Sequence, residues 1–513
     1  MSKASILSAS AALLLSATVA MAAPEREDTT LVLLHTNDTH SQLDPIAKTN
    51  LGGIARRKAL IDSVKALHEN VLVIDAGDAV QGTLFFNLYE GEVENKLDDA
   101  LGYDYRILGN HEFDNGMKGL RKQLEFSKKP QWLATNYKFK DPYFAKRFAP
   151  TAIREFGGKR FGIMALNLNP EGIITDGNYD GVEYVDLYDA ANATAWRLKN
   201  VDSCDVVIAV THIGYEPNAT DTNDLRLAAN SKNIDIILGG HSHTNVDPDA
   251  VHSRQPWLAP NAEGEMVLIA QNAKGGPSVS EVTVNLNDLS KDYKKLLVTK
   301  SLDSKLDPKI EEIIAPYRHG VDSLMHLRVT SSPVELPQNS NRLLNFLADY
   351  MKIRGNELVG DVDLGMVNTG GVRADLPKGD ISEGEIIMML PFNNRIEVIN
   401  INGQDLIDNF DIMVGGKKLA ASVSSDVDVV YDPITKKVTS LTINGKRVDP
   451  EKQYRLATID YLANGGDYMK PLTRGRKVAA SPNIFSTDFL KYLRKNYTKK
   501  PIPTTDKARI RTK

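Results

Sequence analysis

Cysteine is almost missing from this chain: one, Cys204, in 513 residues. A single thiol makes no internal disulfide, so the folded parts must stand on their apolar cores. Its depth in the chain also excludes the lipid-bearing cysteine of a bacterial lipoprotein. An excess of one charge is missing too. Lys and Arg number 62 against 66 Asp and Glu, a net charge of −4. That is too even for a polyanion-binding surface and disfavours nucleic acid as a partner. There is no internal repeat and no long low-complexity tract. Beyond the first residues no apolar run approaches the ~20 needed to span a bilayer. The last residues, "KARIRTK", are basic and carry no hydrophobic tail for a lipid-anchor signal.

What is present is the composition of a globular protein, 42% hydrophobic and 25% charged. The length is too great for one ordinary core and predicts two folded domains. The first residues stand apart. Lys3 precedes the uncharged, small-residue-rich "ILSASAALLLSATVAMA", and Ala20-Met21-Ala22 offers an A-x-A cleavage site before the polar "APERED". Residues 1–22 therefore read as a signal peptide rather than a membrane anchor, with a periplasmic or secreted location expected.

From about residue 30 short apolar runs alternate with helix-like stretches. "LVLL" (31–34), "VLVI" (71–74), "VVIAV" (206–210) and "IDIIL" (234–238) have the length and branching of buried strands. Between the first two, Ile54, Ile61, Val64 and Leu67 fall on one helical stripe. This rhythm predicts an α/β sandwich, closed by strands in "MVLIAQN" and "SVSEVTVNLN". Residues 30–287 form the expected first domain. Residues 288–325 are more charged, with "KLDPKIEEIIAPYRHGVDSL" reading as an interrupted helix, and are taken as a connector. Residues 326–513 restart with the helical "NRLLNFLADYM" and strands such as "DVDLGMVN", an α+β pattern. Asn-Gly in "RIEVINING" and in "KVTSLTINGKRV" predicts two hairpins.

The chemistry collects where the strands of the first half end. "LVLL" is followed by "HTNDTH" with Asp38 and His40, and "VLVI" by "DAGD" with Asp78. "RIL" runs into "GNHEFD" with Asn110, His111 and Asp114. "VVIAV" leads to His212, and "IDIIL" to "GGHSHT" with His241 and His243. Five of the ten histidines, His40, His111, His212, His241 and His243, are among these residues. The carboxyl edge of an α/β sheet is where ligands bind. Imidazole, carboxylate and amide donors without thiolate suit zinc, manganese, iron or cobalt, and fit an all-oxygen magnesium or calcium cage poorly. Seven candidate ligands are too many for one tetrahedral ion. They fit two divalent ions that share a carboxylate, an arrangement suited to phosphoryl transfer.

"HTNDTH", "DAGD", "LGNHEFD", "THIG" and "GGHSH" together resemble the five signature blocks of calcineurin-like dinuclear metallophosphoesterases. "NTGGVRADL", "LPFNN" and "YLANGGD" downstream resemble the C-terminal domain of the 5′-nucleotidase family. The resemblance implies a four-layer α/β/β/α sandwich followed by a smaller α+β substrate-binding domain. It places one ion on Asp38, His40, Asp78 and His243, and the other on Asp78, Asn110, His212 and His241. His111 is then no ligand. It stands beside the phosphate as general acid or transition-state stabiliser, oriented by Asp114, while metal-bound hydroxide attacks phosphorus. In the family a base lies between two aromatics, here Phe392 and Tyr461, and stacking of this kind tolerates different bases. Asn368, Arg373 and Asp467 would hold the ribose and its neighbours. One departure is visible: the family often carries further arginines before the first helix of this domain, and Arg342 in "VELPQNSNRLLNF" does not match their position.

The implied activity is nucleotide phosphohydrolysis, most simply release of phosphate from nucleoside 5′-monophosphates. Sibling activities on the same site are hydrolysis of 2′,3′-cyclic nucleotides, UDP-sugars, or nucleoside di- and triphosphates. A nucleotide-binding surface protein without catalysis is the reading from another class, and the complete ligand set argues against it.

Overall fold

The computed structural model describes residues 29–215, 222–249, 256–416 and 419–513. The expected signal peptide lies outside these residues. Two sheets carry the first half. One has seven strands, in the order Lys291–Leu297, Ser278–Asn285, Thr30–Thr36, Asn70–Asp75, Tyr105–Ile107, Gln131–Leu133, Phe148–Ala149. The other has six, in the order Leu258–Pro260, Met266–Ala270, Ile236–Leu238, Val206–His212, Lys159–Asn167, Thr151–Phe156. The central strands of each sheet run parallel, so each sheet gathers its strand ends along one edge.

Alternation along a strand divides the layers. Leu31, Leu33, Leu72 and Ile74 point into a core shared with Ile163, Ile208 and Ile236 of the second sheet. Val32, Leu34 and Val73 point the other way, onto Ile54, Ile61 and Val64 of the helix Ile54–Lys65 and onto Val93 and Leu97 of the helix Glu92–Leu101. Beyond the second sheet, the helices Leu187–Asn200 and Asp224–Asn230 bring Leu187, Ala191, Leu198 and Leu227 into the shared core. The result is the four-layer α/β/β/α sandwich. Strands buried on both faces read as continuous apolar runs, which is why they were visible in the sequence.

Three local expectations change. Leu67 does not extend the helical stripe: the helix ends at Lys65 and Leu67 is 79% exposed in the turn beyond it. The stretch 308–326 is one helix, Pro308–His326, that runs through Pro316 rather than breaking there. Asn402-Gly403 makes no hairpin. Asn402 caps the helix Gly403–Gly415, its side chain accepting the Gln404 N–H, because an Asn before a helix is as well served by capping as by turning. The other Asn-Gly is a hairpin: Asn444 and Gly445 both have positive φ, 52° and 72°, between the strands Lys437–Ile443 and Lys446–Arg447.

Within the stretch read as connector, the strand Lys291–Leu297 pairs antiparallel with Ser278–Asn285. The helix Pro308–His326 then buries Ile310 and Ile314 in the first half's core. At its far end Leu324 and Met325 lie against Gly384 of the helix Glu383–Met389 in the second half. That half is a mixed five-stranded sheet, ordered Ala421–Val423, Leu364–Asn368, Gln453–Ile459, Arg395–Asn402, Arg476–Ile484, beside a four-stranded sheet. The helix Asn341–Val359 packs its Leu343, Leu347 and Met351 into the core on the five-stranded sheet. No helix among the described residues is long and apolar enough to cross a membrane.

Candidate metal centre and substrate cleft

All seven candidate ligands meet at the carboxyl edges of the two sheets. Asp38 and His40 follow Thr30–Thr36, Asp78 follows Asn70–Asp75, and Asn110 follows Tyr105–Ile107. His212 ends Val206–His212, and His241 and His243 follow Ile236–Leu238. The donor atoms form clusters, of which Asp38, His40 and His243 are one and Asp78, His212 and His241 another. One oxygen of Asp78 lies between them: Oδ2 is 3.1 Å from His212 Nε2, 3.9 Å from His40 Nε2 and 4.0 Å from His111 Nε2. His243 Nε2 lies 3.4 Å from Asp38 Oδ1, and His241 Nδ1 is 2.9 Å from Asn110 Oδ1.

The donors fit divalent metal. His40 Nδ1–H donates to the Gln81 carbonyl at 3.0 Å and His212 Nδ1–H to the Ala76 carbonyl at 2.7 Å. Those bonds fix the tautomer and leave each Nε2 lone pair aimed inward. His212 Nε2 is buried and has no hydrogen-bond partner. The Nε2 atoms of His40 and His243 face one another at 3.0 Å, a repulsive contact between lone pairs unless a cation or proton joins them. Burial opposes charge on His212, but Asp78 and then Asp38 outweigh it and raise the imidazole to about 10. The neighbouring imidazoles likewise hold Asp38 and Asp78 below the ordinary carboxylate range against the effect of burial.

Backbone strain marks the same residues. Asp38, His40, Asp78, His241 and His243 have φ of 50°, 49°, 52°, 80° and 56°. Left-handed conformations cost a non-glycine residue roughly 1–3 kcal/mol each and persist where surroundings enforce them. The enforcing contacts are visible. Asp38 N–H donates to the Gly77 carbonyl and His40 N–H to the Asp78 carbonyl, tying two ligand-bearing turns together. Gly109 permits a close approach: a Cβ there would lie 2.2 Å from Asp78 Oδ1.

Several supporting residues were not singled out from the sequence. Glu112, within "GNHEFD", is buried and accepts the N–H groups of Asp78, Ala79 and Gly109 at 3.0, 3.0 and 2.6 Å. Burial, then the Asp78 charge, pushes its carboxyl up to about 7. Arg106, fully buried, bonds Asp98, lies 3.9 Å from Glu112 and packs on the Trp132 ring at 4.4 Å. Asn37 donates to Asp38 Oδ2 at 2.6 Å and accepts from Asn272 N–H at 2.8 Å. An acid embedded in a ligand-rich block was a readable sign for Glu112. Nothing local in the sequence pointed to Arg106 or Asn272.

His111 stands beside the cluster. Its Nδ1 lies 2.9 Å from Asp114 Oδ2, which leaves Nε2 toward Asp78. Burial lowers this imidazole, but the Asp114 and Asp78 carboxylates outweigh burial and raise it above the ordinary histidine value. The Phe392 ring stacks on it, 5.9 Å between centroids at 22°, so the second half reaches directly to this residue.

One cavity of about 230 Å³ joins the two halves. The first half lines it with Asp78, Asn110, His111, Asp114, His241 and His243, and with Ile173, Ile174 and Thr175. The second half lines it with Asn368, Arg373, Phe392, Asn394, Tyr461 and Asp467. Thus all five substrate-binding candidates face the metal cluster. They are themselves ordered: Asp467 accepts from Asn368 Nδ2 at 2.8 Å and from the Tyr461 hydroxyl at 3.0 Å. The Tyr461 ring lies over Gly466, where a Cβ would come within 2.5 Å. Arg342 does not reach the cavity and pairs with Asp506 at 2.7 Å.

Residues 31–245 match the family described as calcineurin-like phosphoesterase, and residues 325–474 match the 5′-nucleotidase C-terminal domain. An apyrase from Tabanus yao is 27% identical over 489 residues, covering 85% of this chain and 86% of that protein. A snake venom 5′-nucleotidase from Naja atra is 27% identical over 493 residues, covering 85% of this chain and 90% of that protein. The crystal structure of a 5′-nucleotidase precursor from Thermus thermophilus superposes with a TM-score of 0.82 at 28% identity, covering 94% of this chain and 99% of that one.

Proposed function

The chain belongs to the 5′-nucleotidase family, and from that premise we propose that it is a metal-dependent nucleotide phosphohydrolase, in its simplest form a 5′-nucleotidase. The observation that carries this reading is the shared cavity, with metal donors on one wall and paired aromatics, an arginine and a half-buried carboxylate on the other. In this reading Asp38, His40, Asp78 and His243 hold one divalent ion and Asp78, Asn110, His212 and His241 a second, of zinc, manganese, iron or cobalt type. Such ions supply Lewis-acid polarisation of the phosphoryl group and activation of water.

The remaining work belongs to side chains. His111, its Nδ1 held by Asp114, keeps a proton at Nε2 for the leaving nucleoside oxygen or steadies the charge that grows there. Arg373 pairs with phosphate oxygens. Phe392 and Tyr461 take the base between them, and Asn368 and Asp467 receive the ribose. Water adds to phosphorus, the ester P–O bond breaks, and the nucleoside leaves with the proton. Export belongs to the same proposal, with cleavage after Ala22; N-terminal sequencing of the mature protein tests it.

The apyrase relative favours a second reading on the same site, hydrolysis of nucleoside di- and triphosphates. Phosphate release from AMP, ATP, UDP-glucose and 2′,3′-cyclic AMP by metal-replete protein separates the two. Highest kcat/KM on AMP is expected. No release from any of the four, with metal bound, would overturn the proposal and favour a binding protein.

A further inference from the structure

Asp114 is held at both of its peptide groups. Its N–H closes the turn His111–Phe113, donating to the His111 carbonyl at 3.1 Å. Its carbonyl accepts from the side-chain amide of Asn178 at 3.0 Å, across 64 residues of sequence. With N–H and carbonyl both tied, the backbone of Asp114 is set, and with it the direction in which the carboxylate leaves the chain. That carboxylate meets His111 Nδ1 at 2.9 Å. Asn178 also seats on the turn beyond: Gly116 has φ of 67°, and a Cβ there would stand 3.6 Å from Asn178 Oδ1.

The amide of Asn178 is not spent on its own loop. Thr175 to Asn178 is a tight turn closed by backbone alone, Asn178 N–H donating to the Thr175 carbonyl at 3.0 Å, with Gly177 at φ 87° in the third position. Other contacts fix the loop. Ile174 and Tyr179 pack into the cluster that holds Phe113 and Leu120, so the loop and the His111 turn share one apolar base. Toward the second half, the Gly172 carbonyl accepts the Asp467 N–H at 3.2 Å and the Tyr461 hydroxyl at 3.4 Å. The place of the loop is therefore set by the His111 core and by the wall that bears Tyr461, and Asn178 carries that placement to Asp114. Asp114, Thr175 and Tyr461 line the cavity, and Asn178 stands behind them.

We propose that Asn178 is a positioning residue for the leaving-group acid: its amide, by holding the Asp114 carbonyl, keeps the carboxylate on His111 Nδ1 and so aims Nε2 at the leaving oxygen. The proposal rests on the phosphohydrolase reading, with His111 as the acid, and adds the residue that sets its aim. Proton transfer demands a hydrogen-bonded approach, and a small misplacement of the donor is felt in rate before it is felt in binding.

The test uses metal-loaded wild type, Asn178→Ala and Asn178→Asp; the second keeps the size and replaces the donor by an acceptor. Metal content should hold in both. The substrates are AMP, phenyl phosphate and 4-nitrophenyl phosphate. The last loses a stable phenolate that needs little help from a proton, while the other two lose stronger bases that need it. Each variant should lower kcat/KM about fivefold or more for AMP and phenyl phosphate, the worth of one hydrogen bond, and by no more than about twofold for 4-nitrophenyl phosphate. In an Asp114→Asn background Asn178→Ala should cost almost nothing further, since the group it positions is gone. Equal loss on all three esters, or an undiminished loss in that background, would overturn the assignment. A readout without turnover comes from histidine-selective 15N labelling. The His111 Nδ1–H signal should shift or broaden in Asn178→Ala, while that of His212, bonded to the Ala76 carbonyl, stays in place. An unmoved His111 signal would overturn the assignment as well. If wild type hydrolyses none of the esters and the His111 signal still answers to Asn178, the phosphohydrolase reading falls and the positioning role stands.

Discussion

Asp78 Oδ2 has three imidazole nitrogens within 4.0 Å, those of His212, His40 and His111, and this crowding assigns different consequences to neighbouring substitutions. Asp78→Ala removes the atom that lies between the two donor clusters and, in the proposed arrangement, serves both ions, so both metals should be lost, as metal analysis after gel filtration would show. His111→Ala removes an imidazole whose other nitrogen is committed to Asp114. Metal content should stay near wild type while kcat falls by about a hundredfold, the usual worth of a general acid. Equal metal loss in the two variants would refute the division of roles. Asp114 supplies a separate test through pH. In the proposed mechanism the working form of His111 is protonated, and its pKa is raised because the Asp114 and Asp78 carboxylates outweigh burial. Activity should therefore persist to higher pH than an ordinary histidine allows and fall as His111 deprotonates. Asp114→Asn deletes a raising charge, so the alkaline limb of kcat/KM for an aryl phosphate should move to lower pH. A limb that stays in place would exclude His111 as the acid.

At the scale of elements, the site is a set of turns that parallel strands hold at one edge, and Glu112 is the clamp between two of them. Its carboxylate takes three backbone N–H groups from the Asp78 and Gly109 turns. Glu112→Ala would leave those three donors unanswered in a buried place, costing on the order of 3 kcal/mol or more. Urea unfolding should detect that loss, and manganese affinity should fall with it because the Asp78 turn loosens. Unchanged stability would show that water replaces the carboxylate. The strands themselves were readable because burial on both faces writes an unbroken run of branched residues, and their ends because ligands stand out after such a run. What depended on three-dimensional neighbours was less readable. Asn402-Gly403 and Asn444-Gly445 are the same dipeptide. Only the packing of Leu406 and Phe410 into the core makes the first a helix start. Leu67 fits the helical period by count, yet the helix ends two residues earlier. Glu112 and Asn272 act on partners 34 and 235 residues away along the chain. At such separations no local pattern speaks.

At the scale of the whole molecule, the cavity exists only while the two halves meet. Lys470–Glu171 bridges them at 2.7 Å, Asn393 donates to Asn115 at 3.2 Å, and Asp467 N–H donates to the Gly172 carbonyl at 3.2 Å. Lys48–Asp375 at 2.7 Å and Asn87 Nδ2 to the Pro391 carbonyl at 2.8 Å also cross the seam; its ion pairs are exposed, and exposed ion pairs contribute at most about 1 kcal/mol. Phe392 stacks on His111 in this arrangement, so a nucleotide entering between the aromatics needs the halves to part. Opening and closing should then be part of each turnover. Residues 171 and 470 are 62% and 66% exposed at the seam, and the chain's own thiol, Cys204, is buried. Cysteines placed at 171 and 470 can therefore be joined by a short bis-maleimide without competition. The joined protein should lose nucleotide turnover while retaining its metals. A control joined between two positions within one half should keep full activity. Undiminished kcat in the seam-joined protein would mean that substrate enters and product leaves with the halves together, and that the cavity serves as a fixed channel.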